Sequence, residues 1–200
     1  MRTLVTLACW LAPTLASADV RPGDVVFQRS RTAQAEVIAE VTRSEWTHVG
    51  VVLERDGALV VLEAGAPVGW TPIADWKARG VGGRMLVRRL PRRLGRAELA
   101  RLARLGERFV GRAYDARFEW NDRRLYCSEL VYRLFELAVG VRLVEPQRWR
   151  DLVFTARARA LARRRLGRQP EPNGRVVTPA ALATAPTLRS VAVTPRPVRR

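Results

Sequence analysis

Thr47-His48-Val49-Gly50-Val51-Val52-Leu53-Glu54-Arg55-Asp56-Gly57-Ala58-Leu59-Val60-Val61-Leu62-Glu63-Ala64 is the stretch on which the fold turns. Two β-branched and apolar runs flank Asp56-Gly57, a strong two-residue turn signal, so the segment reads as a β-hairpin. One strand covers Val49 to Leu53 and the other Leu59 to Leu62. With Asp56 and Gly57 as the turn residues, Arg55 pairs with Ala58 and Gly50 faces Glu63. By the same count His48 faces Gly65. Side chains alternate along a strand, so His48, Gly50 and Glu63 share one sheet face. Glu63 is then a diagonal neighbour of His48, at roughly 7–8 Å between backbones, within reach of a long side chain. Gly50 opposite Glu63 is expected to leave open space there.

The rest of the chain alternates in the same way. Arg21-Pro22-Gly23-Asp24 is a turn signal leading into a short strand, Val25-Val26-Phe27. Thr32 to Thr42 places Ala33, Val37, Ile38 and Val41 at helical spacing. Trp70 to Gly80 reads as a loop with a helical turn at Pro72 to Trp76, and Met85 to Leu90 as a strand closed by Pro91. Ala97 to Val110 is an amphipathic helix with Leu99, Leu102, Ala103 and Phe109 on its apolar face. Tyr114 to Trp120 is loop or strand. A helix then starts at Cys127, buries Leu130, Val131, Leu134, Leu137 and Ala138, and stops at Gly140. Arg150 to Leu166 reads as a strongly basic helix, and 167–174 as a linker. Val176-Val177 is a strand candidate, and Thr178-Pro179 opens a helix by N-cap and N1 preference. No internal repeat is present. The pattern is that of an α+β domain.

The first residues read as a secretory signal: a basic Met1-Arg2, an apolar Thr3 to Leu15 too short to span a bilayer, and an Ala16-Ser17-Ala18 cleavage site. This predicts a signal peptide at 1–18, a mature chain from Asp19 in the periplasm or outside the cell, and no later transmembrane segment. The division expected is 1–18 signal, 19–193 one domain with a basic helix at about 150–166, and 194–200 a disordered basic tail. Of the two cysteines, Cys9 falls in the signal and Cys127 stays as the lone mature thiol, beside the lone histidine, His48. An internal disulfide is then excluded, and a lone exported cysteine is either reactive or a buried bystander. One cysteine and one histidine cannot build a usual zinc site, so no metal and no cofactor is expected.

A thiolate is a good nucleophile only when something stabilises its charge. A helix N-terminus and a neighbouring imidazole are the usual devices. Cys127 has the first turn of its helix, which supplies partial positive charge and a backbone N–H for a developing oxyanion. His48 is the candidate base, and Glu63 the carboxylate that fixes its tautomer.

The net charge of +17 comes almost wholly from arginine, since Lys77 is the single lysine. From Val141 onward fourteen arginines face only Glu145, Asp151 and Glu171, a net of +11. Such a region attracts polyanions non-specifically. For an exported chain those are anionic envelope polymers and lipid head groups. No motif accompanies the charge that would argue for specific nucleic-acid binding.

The ordered pieces Gly23-Asp24-Val25-Val26-Phe27, Thr47-His48-Val49-Gly50-Val51, Leu62-Glu63-Ala64, Tyr114-Asp115 and Tyr126-Cys127-Ser128-Glu129-Leu130 resemble the circularly permuted papain-like hydrolases of the YiiX/YaeF group, relatives of the NlpC-type cell-wall peptidases. The permuted order puts the cysteine helix after the histidine strand, as here. The resemblance covers about Arg21 to Val144 and extends to Val176 to Val191, and implies an antiparallel sheet packed against the helix that carries the cysteine. It implies Cys127 as nucleophile, His48 as base and Glu63 as the polar third member. Tyr126 looks like a pocket residue or a sheet-packing aromatic. Tyr114, with Asp115, either shapes the approach to substrate or forms a simple turn. Relatives act on cell-wall peptides, and more distant permuted members on lipid acyl groups. Two functions follow as expectations. One is an exported cysteine amidase, peptidase or esterase acting on a cell-envelope peptide or lipid. The other is a non-catalytic envelope-binding protein that uses its basic C-terminal region.

Overall fold

The computed structural model describes residues 20–167 and 170–192. The expected signal peptide at 1–18 and the expected tail at 194–200 lie outside the described residues. The chain runs β1 (Val25–Gln28), α1 (Ala33–Thr42), β2 (His48–Arg55), β3 (Ala58–Ala64), β4 (Val68–Pro72), α2 (Ile73–Arg79), β5 (Leu86–Arg89) and α3 (Arg96–Phe109). Then follow β6 (Ala113–Tyr114), β7 (Arg124–Leu125), α4 (Cys127–Leu134), β8 (Gln147–Arg148), α5 (Ala156–Leu166), β9 (Arg175–Val176), α6 (Pro179–Ala183) and β10 (Arg189–Val191).

Six strands form one antiparallel sheet in the order β10-β5-β1-β2-β3-β4. The hairpin has the register read from its turn: Arg55 opposite Ala58 and Gly50 opposite Glu63. Alternation splits the sheet into two faces. Val25, Phe27, Val49, Val51, Leu53 and Leu62 pack with Leu102 of α3 and with Leu130 and Val131 of α4 in the larger core. Val26, Val52, Val61 and Val87 form a smaller cluster around the fully buried Trp76 of α2. The fold is therefore α+β, with the sheet packed on the helix that carries the cysteine.

The space beside Gly50 is not open. A Cβ at Gly50 would collide with Val61 Cγ1 and approach the Leu62 carbonyl oxygen to 2.9 Å. Only glycine lets the two strands approach this closely. Gly23 is fixed twice over, by φ +91° and by Leu94, whose Cδ1 would lie 2.7 Å from a Cβ.

Several elements differ from the sequence expectation. Val68 to Pro72 is a strand, not loop, and Ile73 to Arg79 is a full helix. β10, which sequence reading missed, covers the outer edge of β5. The cysteine helix continues as a π-helical turn over Phe135–Val139 before Gly140 caps it at φ +73°. The wider turn shifts the phase of the apolar stripe. Leu137, expected inside, is 63% exposed, while Phe135 and Ala138 are buried. The basic helix begins at Ala156 rather than Arg150, because the Thr155 hydroxyl caps it by accepting from the Ala158 N–H.

Asp24 explains the Gly-Asp pair at the head of β1. Its carboxylate is fully buried and takes a two-pronged bond from Arg89 of β5, Nε to Oδ1 at 2.5 Å and Nη2 to Oδ2 at 2.7 Å. The Arg21 N–H adds a third bond to Oδ2. Asp24→Ala removes the carboxylate from a buried guanidinium and is expected to cost about 3–5 kcal/mol. Urea unfolding of the two proteins measures that difference.

Candidate active site

The sheet and α4 bring Cys127 and His48 together. His48 is the first residue of β2 and sits at the end of its strand. Glu63 lies near the end of the neighbouring β3, on the same face. Cys127 is the first residue of α4, after Tyr126 in extended backbone at φ −98° and ψ 165°. Two short parallel strands set the approach: Tyr114 of β6 pairs with Leu125 of β7, two residues before the cysteine.

The His48 ring is held from both sides. Its Nε2 lies 2.5 Å from Glu63 Oε2, and it also hydrogen-bonds the Cys127 side chain. With Nε2 on the carboxylate, Nδ1 is the nitrogen left for the thiol. Burial pulls the imidazole pKa down, but the bonds to Cys127 and Glu63 outweigh it and lift the value to about 9. The ring also stacks on Trp76, centroids 6.2 Å apart at 27°.

Glu63 is buried, and each of its oxygens is used. Oε2 meets His48, while Oε1 accepts from Thr71 Oγ1 at 2.6 Å and from the Arg79 guanidinium. Burial pushes its pKa up. The His48 hydrogen bond and charge, with Thr71 and Arg79, more than reverse this and hold it at about 2. The carboxylate is thus ionised at any working pH and can orient an imidazolium.

Tyr114 brings its hydroxyl to the Cys127 sulfur, and its pKa is raised well above the ordinary value by burial and by the nearby sulfur charge. It remains a neutral donor beside the nucleophile. Tyr126 is elsewhere. Its side chain is fully buried, its ring packs edge-on against Phe118, and its hydroxyl accepts from the Val177 N–H. The structure puts it in the core behind the cysteine and not on a substrate-facing wall.

Thr71, Trp76 and Arg79 did not emerge from the sequence reading. Thr71 could have, as the β-branched partner of Val61 had β4 been read as a strand. No local pattern announces Trp76 or Arg79. On α4, Glu129 is fully buried and ion-paired with Arg133, with Nη2 2.8 Å from Oε1. Burial outweighs that pairing and raises its pKa to about 8. A carboxyl with a raised pKa favours the folded state at low pH. Its contribution is present below about 4.5 and lost as pH climbs through about 8. His48 adds a contribution of the same sign between about 6.5 and about 9. Stability of the wild type should therefore fall between these limits. Glu129→Gln should flatten the lower part of that fall in melting curves taken across pH.

A cleft of about 530 Å³ opens over His48, Glu63 and Tyr114, with Arg31 and Arg79 in its wall. That volume suits a small-molecule or peptide-end substrate.

A thiol at a helix start facing an imidazole on an antiparallel sheet, with a carboxylate behind the imidazole, is the papain-like arrangement. Here the histidine strand precedes the cysteine helix, which makes it the permuted class. The chain belongs to the family described as permuted papain-like amidase enzyme, YaeF/YiiX, C92 family, which it matches over residues 19–192. It is 34% identical over 171 residues to the uncharacterized protein YiiX of Escherichia coli (strain K12), covering 85% of each chain. A crystal structure described as metalloprotein yiiX from Escherichia coli O157:H7 superposes with a TM-score of 0.83 at 34% identity, covering 87% of this chain and 97% of that one. Among the described residues no group of three or more His, Cys, Asp or Glu is placed to hold a metal ion. His48 Nε2 is already engaged by Glu63. The donors present do not fit a bound metal.

Proposed function

We propose that the protein is an exported cysteine amidase or esterase that cleaves an acyl bond in a cell-envelope peptide or lipid. The observation that carries this reading is the single imidazole bonded on one side to a buried carboxylate and on the other to the cysteine. Cys127 Sγ attacks the acyl carbonyl, and the oxygen becomes an oxyanion at the start of α4, beside the Tyr114 hydroxyl. His48, protonated by the thiol, gives its proton to the departing amine or alcohol as the carbonyl–heteroatom bond breaks. A water molecule then gives a proton back to His48 and attacks the thioester. The acid leaves and the thiolate–imidazolium pair returns. Glu63 keeps the ring oriented and its positive form stable, and Thr71 and Arg79 position Glu63.

Export is supported by the Ala16-Ser17-Ala18 site after a short apolar run. Among the described residues no helix is long and apolar enough to cross a membrane. The binding-protein reading has support from the exposed arginines of α5, such as Arg163 and Arg164, but it leaves the Cys–His–Glu alignment without a purpose. The deciding experiment incubates the protein with a panel of acyl amides and esters, quenches in acid, and weighs the intact chain. An acyl adduct on Cys127 supports the hydrolase. No adduct and no turnover with any member, alongside salt-sensitive binding to anionic polymers that survives Cys127→Ala, supports the binding protein.

A further inference from the structure

The cleft over His48 is lined by two side-chain amides, each with a buried atom that has nothing to bond. Gln28 ends β1 and stands opposite His48 in the register of β1 and β2. It is 2% exposed, and its Oε1 makes no hydrogen bond. Gln34, on α1, has a buried Nε2 that makes none either. A buried polar atom left unmatched is costly, and native interiors hold few. The neighbouring polar groups are engaged. Thr47 Oγ1 accepts from the Ser30 N–H, the Ser30 hydroxyl donates to Thr32 Oγ1 at 3.3 Å, and Glu63 holds His48, Thr71 and Arg79.

Gly80, just after α2, shows that the place of the Gln28 amide is built. Its φ of −66° and ψ of 155° are open to any residue, so its lack of a side chain has no backbone cause. A Cβ there would lie 2.5 Å from Gln28 Oε1 and 3.3 Å from Gln28 Cβ. The glycine makes room for the amide beside the histidine.

The leaving group must take its proton from His48, and His48 lines the cleft, so the leaving group departs into it. There it meets an unmatched acceptor, Gln28 Oε1, and an unmatched donor, Gln34 Nε2. An amide offers the complementary pair, an N–H for the first and a C=O for the second. We infer that Gln28 and Gln34 clamp a peptide unit of the leaving group, and so select substrates whose leaving amine continues into a further amide bond. This inference rests on the hydrolase reading and specifies the leaving side of its substrate. The acyl–nitrogen bond breaks and one water is consumed. The products are a carboxylic acid and an amino-acid amide or peptide with a free amino end.

Turnover and binding test this together, both on the full chain. Turnover compares N-acetylglycinamide with N-isobutylacetamide, which has the same shape without the second amide. The wild type should prefer the first by about a hundredfold or more in kcat/KM. Gln28→Met and Gln34→Met should each cut that preference about tenfold. Gly80→Ala pushes the Gln28 amide aside without removing it and should do the same, which covers a Gln28→Met protein that does not fold. Glutamines that only support the fold would slow both substrates alike and leave the ratio unmoved, which overturns the inference. Binding is followed by NMR on the ¹⁵N side-chain amide signals of Gln28 and Gln34, titrated with glycinamide and with isobutylamine. Both signals should shift with glycinamide alone. Equal turnover of the two substrates by the wild type would overturn the inference and leave the hydrolase standing. Shifts with glycinamide in a protein that hydrolyses neither substrate would keep the clamp and sink the hydrolase reading. No turnover and no shift would overturn the clamp itself.

Discussion

Cys127→Ala is expected to reduce turnover by a factor of about 10⁴ or more, to the level of background hydrolysis. Sγ forms the bond to the acyl carbon, and no other group can replace it: Cys127 is the only cysteine among the described residues, and no second thiol lies near. The protein should nevertheless stay folded. Cys127 is buried at the edge of the larger core, and losing one sulfur atom there costs about 1 kcal/mol. Turnover and thermal melts on the same preparation separate the two effects. Residual activity within tenfold of wild type would remove the thioester from the mechanism.

Glu63→Gln carries the second large effect. The amide keeps the shape but not the charge, so His48 loses the partner that helps hold its pKa at about 9. An imidazolium formed during attack is then less stable, and the ring can settle in the wrong tautomer. In comparable triads the loss reaches about 10⁴ in kcat, and about 10² to 10⁴ is expected here. KM should change little, because Glu63 is only 3% exposed and lies behind the imidazole. The alkaline limb of the pH–rate profile should move to lower pH. A lost kcat with an unmoved pH profile would make Glu63 a packing residue.

The hairpin was legible because its information is local. Asp56-Gly57 sets the register, and the register alone puts Glu63 diagonal to His48. The cysteine helix was legible for the same reason up to Leu134. It failed at Leu137, since the π-turn after Leu134 leaves no mark in the periodicity. The support of Glu63 was hidden differently. Thr71 and Arg79 come from β4 and α2, five and seven residues long, lengths at which propensity and pattern say little. Tyr126 and Tyr114 could not be told apart in sequence. One turns into the core towards Val177 and the other towards the sulfur, and that choice is made by packing.

Every step of the proposed hydrolysis depends on activation of Cys127 by His48. The direct measurement is the rate of Cys127 alkylation by iodoacetamide across pH, in wild type and in His48→Ala. At neutral pH and below, wild-type Cys127 should react faster than it does in His48→Ala, since the His48 imidazolium persists until about pH 9. In His48→Ala the reaction should be slow there and quicken only towards the ordinary thiol range, about pH 8.5. Identical pH curves for the two proteins, or a thiol inert in both, would contradict the claim.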